Sequence, residues 1–267
     1  MSRRIRGWAV SAVLAAILSV SAPAIAGRGC EPAAPTVQEL KKTAALATRT
    51  QAALETGGQQ LYIIGRIGQN LTEYRLTYSH VAFVLKNTDG PGWTVYHELN
   101  ECGTASSGVY AEGLLEFFTD LYQHEAAIVY LPADLQERLA TRLRTNPKTF
   151  HEPSYSVVAY PFSTKHQNSN QWLAETLAAG MSTDIELTTR AQAQGWLKAA
   201  GFEPTELAIG PMTRLGGRVF KAQVYFNDHP SELRWSSRIQ TTTAESLFKF
   251  VQRRYPADYK LETVELF

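Results

Sequence analysis

Two short polar segments of the sequence lie about ninety residues apart: Tyr78-Ser79-His80-Val81-Ala82 and Gln167-Asn168-Ser169-Asn170-Gln171. The first opens an apolar run whose residues are typical of a β-strand, with His80 at its start. The second precedes an amphipathic pattern that predicts a helix, with Ser169 at its beginning. A histidine and a serine placed in this way offer a base and a nucleophile.

The first 26 residues have the three parts of a signal peptide. A basic stretch with Arg3, Arg4 and Arg6 is followed by an apolar run from Trp8 to Val20 and by Ala24-Ile25-Ala26, an A-x-A cleavage motif. We therefore expect cleavage after Ala26 and a periplasmic or secreted protein. The apolar run is shorter than the roughly 20 residues that cross a bilayer, and no later run is long enough, so no transmembrane span is expected in the mature chain.

The charge of the mature chain argues against nucleic acid as a partner. Removing three arginines from 26 basic residues leaves 23 against 25 acidic ones, a net charge of −2 with neutral histidines. Such a chain has no basic excess with which to neutralise phosphates. The histidines lack the close spacing of zinc ligands, so neither a metal nor a cofactor is expected.

The mature chain has two cysteines, Cys30 and Cys102. An oxidising compartment favours a disulfide between them, and the alternative is a free or acylated thiol. The bond would attach the mature N-terminus to the loop after the second strand of the predicted hairpin.

The periodicity of the chain predicts an α+β fold, an antiparallel sheet with helices packed against it. We expect residues 27–267 to form one domain, with a core at about 60–180 and a C-terminal extension at about 185–267. The predicted elements are helix 37–56, strand 61–67, strands 81–85 and 93–97 joined as a hairpin, helix 112–121, strand 126–131, helix 134–143, strand 155–160, helix 172–179, helix 190–200, strand 219–226 and helix 244–253.

The candidate catalytic residues are Ser169, His80 and one of the neighbours His97 and Glu98. A catalytic base needs a polar group to orient it, and strand side chains alternate, so only one of His97 and Glu98 can share the face of His80. We favour His97. His166, three residues before Ser169, is the reserve base.

The residues around Ser169 have a second interpretation. Asn168 followed by Gln171 resembles a capping box, which places Ser169 in the first helical turn, where free N–H groups favour an anion. Capping alone explains such a cluster as well as catalysis does. If the segment serves a site, Asn168, Asn170 and Gln171 are the candidate binding residues.

The order of these parts resembles the circularly permuted papain-like (NlpC-type) group of bacterial cell-wall hydrolases and acyltransferases. In that group the histidine strand comes first and the nucleophile helix last, and the resemblance covers residues 60 to 180. Nearly the whole mature chain also resembles an uncharacterised family of exported bacterial proteins, domain of unknown function 2145. The residues that carry this likeness are His97-Glu98-Leu99-Asn100-Glu101-Cys102-Gly103-Thr104, Tyr160-Pro161-Phe162-Ser163 and Gln167 to Trp172.

One position departs from the papain-like pattern, because Ser169 stands where that group has cysteine. A thiol can ionise in advance beside an imidazolium, whereas a serine hydroxyl needs a general base. The resemblance therefore implies a Ser/His hydrolase or acyltransferase acting on envelope amide or ester bonds, and the expected partner is a cell-envelope substrate or ligand, either a peptide or an acyl group. The alternative is an inactive envelope protein that binds its ligand in the same cleft, and a structural role in the envelope is a third.

Overall fold

In the computed structural model the described residues are 35–209 and 223–266. A six-stranded antiparallel sheet has the order β4-β3-β2-β1-β5-β8, and a two-stranded sheet pairs β6 with β7. The strands are β1 (Leu61–Ile67), β2 (His80–Lys86), β3 (Trp93–Asn100), β4 (Ser107–Glu112), β5 (Gln123–Val129), β6 (Thr205–Ala208), β7 (Arg238–Thr241) and β8 (Leu261–Glu265). The helices are α1 (Val37–Gly57), α2 (Leu114–Phe117), α3 (Ala133–Thr145), α4 (Ser169–Met181), α5 (Arg190–Ala199), α6 (Ser231–Trp235) and α7 (Ala244–Arg254). The α+β prediction with an antiparallel sheet is confirmed.

Helix α1 begins and ends where the sequence predicts. The Thr36 hydroxyl accepts a hydrogen bond from the Glu39 N–H, and the Glu39 carboxylate accepts one from the Thr36 N–H, which forms a capping box. The helix ends at Gly58, whose φ of 70° lies in the left-handed region that glycine adopts without strain.

The two faces of the main sheet bury two separate apolar clusters. On one face Val81, Phe83 and Leu85 of β2 pack in a cluster with residues of α3, α4, α5 and α7. On the other face Ala82 and Val84 pack in a cluster with residues of α1 and α2. The alternation of strand side chains produces this division. All thirteen residues of α4 are buried, so this helix forms the centre of the first cluster.

Part of the described chain after residue 185 joins the main sheet and its core, while β6 and β7 form the separate two-stranded sheet. Strand β8 pairs with β5, and Leu247, Phe248, Phe250 and Val251 of α7 belong to the cluster that surrounds α4. Among the described residues no helix is both long and apolar enough to span a membrane.

The prediction of a strand at 155–160 is wrong. This segment forms only an isolated bridge between Tyr155 and Gln167, because its neighbours are loops. The Tyr155 N–H donates to the Ala105 carbonyl, and the Gln167 N–H donates to the Ser154 carbonyl. Hydrophobic and β-branched residues therefore line a buried loop here.

Two further predictions need correction or stay untested. Of the helix predicted at 112–121 only Leu114–Phe117 is helical, and the preceding residues form β4, which was not predicted. Glu112 belongs to β4 and not to the helix, because its backbone pairs with Val95 of β3. In the strand predicted at 219–226, residues 219–222 lie outside the described residues, and 223–226 are not a strand.

Candidate active site

Helix α4 begins as the sequence predicts. The Asn168 side chain caps the helix by accepting a hydrogen bond of 2.8 Å from the Gln171 N–H, which places Ser169 in the first turn. The Asn168 amide nitrogen donates to the Thr241 hydroxyl at 2.9 Å. The cap therefore also ties the start of α4 to β7.

The start of α4 is bound directly to the start of β2. The ladder between β2 and β3 runs from Phe83 to Lys86, so it does not include Val81. The Val81 N–H instead donates to the Asn170 side-chain oxygen at 3.1 Å. Val81 follows His80, and Asn170 follows Ser169, so each candidate catalytic residue is the chain neighbour of a residue in this hydrogen bond.

The His80 imidazole has a second imidazole as its hydrogen-bond partner. His80 Nε2 lies 2.8 Å from His97 Nδ1, and both rings lie against Phe117. On the far side of the ring, His97 Nε2 lies 2.9 Å from a carboxylate oxygen of Glu112, although the angle is not that of an aligned hydrogen bond. The three side chains thus form a row from β2 through β3 to β4.

Burial keeps the two imidazoles of this row uncharged. It lowers the pKa of His80 well below 6.5, and the positive charge of Arg66 acts in the same direction. Burial also lowers the pKa of His97, against the opposing influence of Glu112. At neutral pH both rings are therefore neutral, and an unprotonated imidazole can accept a proton.

Glu98 does not join this row. Its neighbour His97 points toward Phe117, and the alternation of the strand turns Glu98 to the face on which α4 packs. The carboxyl is wholly buried, and neither oxygen has a hydrogen-bond partner of good geometry. Burial raises the pKa of Glu98 to about 8, the Ser107 hydroxyl opposes this, and the charge of Glu175 adds to it. Of the two candidate orienting groups, His97 is the one that contacts His80.

The predicted contact between His80 and Ser169 is not made. Across the described chain no hydrogen bond joins these two side chains. The His80 ring is turned toward His97 and Phe117, while Ser169 lies against Tyr155. Burial raises the pKa of Tyr155 to about 12, and hydrogen bonding from the Ser169 hydroxyl and N–H opposes the shift. His80 shares with Phe117 the face of the sheet opposite to the one on which α4 packs, so a reaction between His80 and Ser169 requires the ring to turn at the start of β2, and the roles of both residues stay predictions.

The other polar side chains at the start of α4 are occupied inside the protein. Gln171 donates to the carbonyls of Tyr160 and Pro161 and to Glu175, each at 3.3 Å. Asn168 and Asn170 serve the cap and the link to β2. These contacts show that Asn168, Asn170 and Gln171, the three predicted binding residues, stabilise the fold around the start of α4.

A buried ion pair holds α4 to α5. Arg190 donates to both oxygens of Glu175, at 2.8 and 3.1 Å, and Glu175 is wholly buried. Gln167 and Gln194 each donate to the same carboxylate at 2.7 Å. Burial raises the pKa of Glu175, and the charge of Arg190 opposes that shift.

Sequence reasoning missed Glu112 and Tyr155. Glu112 stands at the edge of an amphipathic pattern that suggests a helix, and Tyr155 begins an apolar run that suggests a strand. A correct prediction of β4 would have identified Glu112, because β4 pairs with the strand that carries His97. No local signal marks Tyr155.

Two predictions concern residues outside the described part of the chain. The signal peptide, residues 1–26, lies there entirely, and so does Cys30, so export and the disulfide with Cys102 stay predictions. Within residues 35–209 and 223–266, no cluster of three or more His, Cys, Asp or Glu side chains is placed to hold a metal ion.

The fold and these contacts define an α+β protein with a polar site where β2 meets the start of α4. The family of uncharacterized proteins conserved in bacteria, DUF2145, matches residues 53–251, and the chain belongs to that family. No curated protein matches the chain. Among solved structures, the metalloprotein yiiX from Escherichia coli O157:H7, described as DUF1105, is similar over 78% of this chain and 97% of its own. Its sequence identity is 11% and its TM-score 0.44.

Proposed function

We propose that this protein is an exported serine hydrolase or acyltransferase that acts on amide or ester bonds of the cell envelope. Ser169 is the nucleophile, His80 the general base and His97 the group that orients the base. One observation carries the proposal, the 3.1 Å hydrogen bond between the Val81 N–H and the Asn170 side chain. It fixes the start of the histidine strand beside the start of the serine helix.

The contacts of His97 with Glu112 and His80 determine the tautomer of His80, and that tautomer supports its role as a base. The negative charge of Glu112 favours a proton on His97 Nε2, which leaves His97 Nδ1 as an acceptor. His80 then carries its proton on Nε2, the atom that lies 2.8 Å from His97 Nδ1. His80 Nδ1 is left without a proton and, once the ring turns from the Phe117 face toward α4, can take the one that the Ser169 hydroxyl loses on attack.

The helix start supplies a place for the charge that develops in such a reaction. When the Ser169 oxygen attacks a carbonyl carbon, negative charge appears on the carbonyl oxygen. The Gln171 N–H is taken by Asn168 and the Ser169 N–H by Tyr155. The Asn170 N–H and the helix dipole are therefore the groups that stabilise an anion at this end of α4. A permuted papain-like scaffold, in the periplasm or secreted, is the setting in which we place this chemistry.

The second candidate function is an inactive envelope protein that binds a peptide or acyl group in the same place. Two observations favour it. The Ser169 hydroxyl has Tyr155 rather than His80 as its neighbour, and Ser169 and His80 expose only 7% and 8% of their surface.

Reaction with a fluorophosphonate, followed by peptide mass spectrometry, separates the two functions. We expect the purified chain to carry an adduct on Ser169, and Ser169→Ala and His80→Ala to lose it while keeping the far-ultraviolet spectrum of the parent. Ser169→Cys should react with iodoacetamide, since a thiol replaces the hydroxyl at the same helix start. Labelling is the readout because it does not require knowledge of the substrate.

Ser231→Ala is the matched control, because Ser231 is also the first residue of a helix but is exposed. It should leave the adduct on Ser169 unchanged. A folded parent chain that never acquires an adduct on Ser169 would support the binding protein instead.

The pH dependence of labelling tests the base separately. Since burial lowers the pKa of His80 well below 6.5, the base stays unprotonated as the pH falls to that value. The rate of adduct formation on Ser169 should therefore be level down to pH 6.5 and decline only below it. A decline centred at or above pH 6.5 would show that another group is the base.

A further inference from the structure

A serine, a histidine and an asparagine are joined by two hydrogen bonds outside the site described above. The Ser154 hydroxyl lies 2.7 Å from His166 Nδ1, and His166 Nε2 lies 2.8 Å from the Asn227 side-chain oxygen. No other serine in the described ranges has an imidazole partner that is itself held by a third side chain. The Ser107 hydroxyl does contact His151 Nε2 at 3.1 Å, but His151 has no second side-chain partner there.

The protein holds this imidazole in a fixed position. Tyr225 stacks on the His166 ring, with centroids 4.8 Å apart and planes 16° from parallel. Arg190, itself paired with Glu175, donates to the His166 carbonyl at 3.1 Å. The base is therefore attached to the buried ion pair that joins α4 and α5.

The loop that carries Ser154 is hydrogen-bonded to Gln167, the residue that follows His166. The Gln167 N–H donates to the Ser154 carbonyl at 2.9 Å, and the Glu152 N–H donates to the Gln167 side chain at 2.7 Å. Ser154 and His166 are thus held at their hydrogen-bond distance by one backbone and one side-chain contact of Gln167, as a preorganised catalytic group requires.

The hydrogen bonds also fix the tautomer of the neutral His166 ring. The Asn227 oxygen can only accept, so His166 Nε2 carries the proton and His166 Nδ1 is a bare acceptor. The Ser154 hydroxyl must then donate to Nδ1. This is the starting state of a nucleophile, its general base and the group that orients the base.

We propose that Ser154, His166 and Asn227 form a second nucleophilic site, which accepts the acyl group of an ester. The Ser154 oxygen forms a bond to the ester carbonyl carbon while its proton passes to His166 Nδ1. The ester C–O bond then breaks, and the same proton leaves with the alcohol. Water attacks the acyl-Ser154 in the reverse sense, which releases the carboxylic acid and restores the hydroxyl.

Position and charge indicate which esters can react. Ser154 is half-buried and Asn227 is exposed, so the site opens at the protein surface. The Glu152 carboxylate accepts the Ser154 N–H at 3.0 Å, which places negative charge beside the nucleophile. Uncharged or cationic acyl groups fit this site, whereas acidic ones are repelled.

The test uses an uncharged fluorophosphonate, such as diisopropyl fluorophosphate, on the purified chain. Trypsin cleaves after Lys148, Lys165 and Arg190, so Ser154 lies in peptide 149–165 and Ser169 in peptide 166–190. We expect an adduct on Ser154, located by fragmentation within its peptide, in both the parent and Ser169→Ala. Adducts at the two sites are scored separately, so failure of one proposal does not depend on the other.

Variants distinguish a reactive group from a structural one. Ser154→Ala should lose the adduct in peptide 149–165, and Asn227→Leu should slow its formation at least tenfold, because the base loses its orientation. Asn227 is exposed, so Asn227→Leu tests the site with little effect on the stability of the fold. Asn227→Asp should restore the rate, since a carboxylate oxygen accepts the same hydrogen bond.

Ser236→Ala is the control, since the partners of the Ser236 hydroxyl are backbone groups, the carbonyls of Leu233 and Arg238 and the Arg238 N–H. It should change nothing. The proposal is overturned if the parent chain carries no adduct on Ser154, or if Asn227→Leu forms that adduct at the parental rate. Either result would mean that the hydrogen bonds of Ser154, His166 and Asn227 have only a structural role and hold two loops together.

Discussion

Replacing Arg190 by methionine is expected to lower the free energy of unfolding by about 3–5 kcal/mol, the usual effect of removing one partner of a buried ion pair. Arg190 meets both oxygens of Glu175, at 2.8 and 3.1 Å, and Glu175 is wholly buried. Without the guanidinium the carboxylate must either stay charged in a low dielectric or take up a proton. Both alternatives cost free energy that the parent chain does not spend.

Urea unfolding of the purified chain measures this loss, and Arg253→Met is its control. Arg253 forms an ion pair with Glu203 at 2.6 Å, but both side chains are exposed, so its removal should cost at most about 1 kcal/mol. The double variant Glu175→Gln/Arg190→Met should recover part of the loss, because the uncompensated charge is gone. Equal losses from Arg190→Met and Arg253→Met would contradict this account of the buried pair.

The sequence predicts those parts of the fold that depend on local patterns. The capping box of α1 lies within residues 36–39, a glycine directly follows the other end of that helix, and the hairpin of β2 and β3 has its turn residues between the strands. Asn168 caps α4 for the same local reason. Each of these features involves residues within a few positions of one another, so a single chain segment contains the whole signal.

The contacts that build the site depend instead on how strands pair. Alternation along β3 shows that His97 and Glu98 point to opposite faces, but only the pairing of β2, β3 and β4 decides that His97 meets both His80 and Glu112. The loop around Tyr155 carries β-branched and aromatic residues because it is buried, and composition cannot distinguish such a loop from a strand.

The buried charges are the feature that the sequence conceals most completely. Glu175, Arg190 and Gln194 have the composition of an exposed helix face, yet all three are buried. Their burial follows from the packing of α5 on α4, and α4 is buried along its whole length because it lies between the sheet and three other helices. The sequence pattern after Ser169 predicts an amphipathic helix with one exposed face, but the structure leaves α4 no exposed face, so the pattern does not identify its neighbours.

The second large effect concerns Glu98, whose carboxyl makes the stability of the protein depend on pH. Burial raises the pKa of Glu98 from 4.5 to about 8. Between these values the folded chain holds a proton that the unfolded chain releases, so the free energy of unfolding falls as the pH rises. The contribution of this one group changes by about 1.4 kcal/mol for each pH unit, and it levels off above the folded pKa.

Glu98→Gln should remove this contribution, because an amide of the same shape does not titrate. We expect the variant and the parent to have similar stability near the lower pKa, and the variant to be more stable by several kcal/mol at the upper one. Urea unfolding at a series of pH values measures the difference, with Glu101→Gln as the control, since Glu101 is exposed on the loop that follows β3. If parent and Glu98→Gln lose stability in parallel across this range, the Glu98 carboxyl is ionised in the folded protein. An ionised Glu98 would need hydrogen-bond donors for its two carboxylate oxygens. Ser107 and Tyr155, as the structure places them, do not supply such hydrogen bonds.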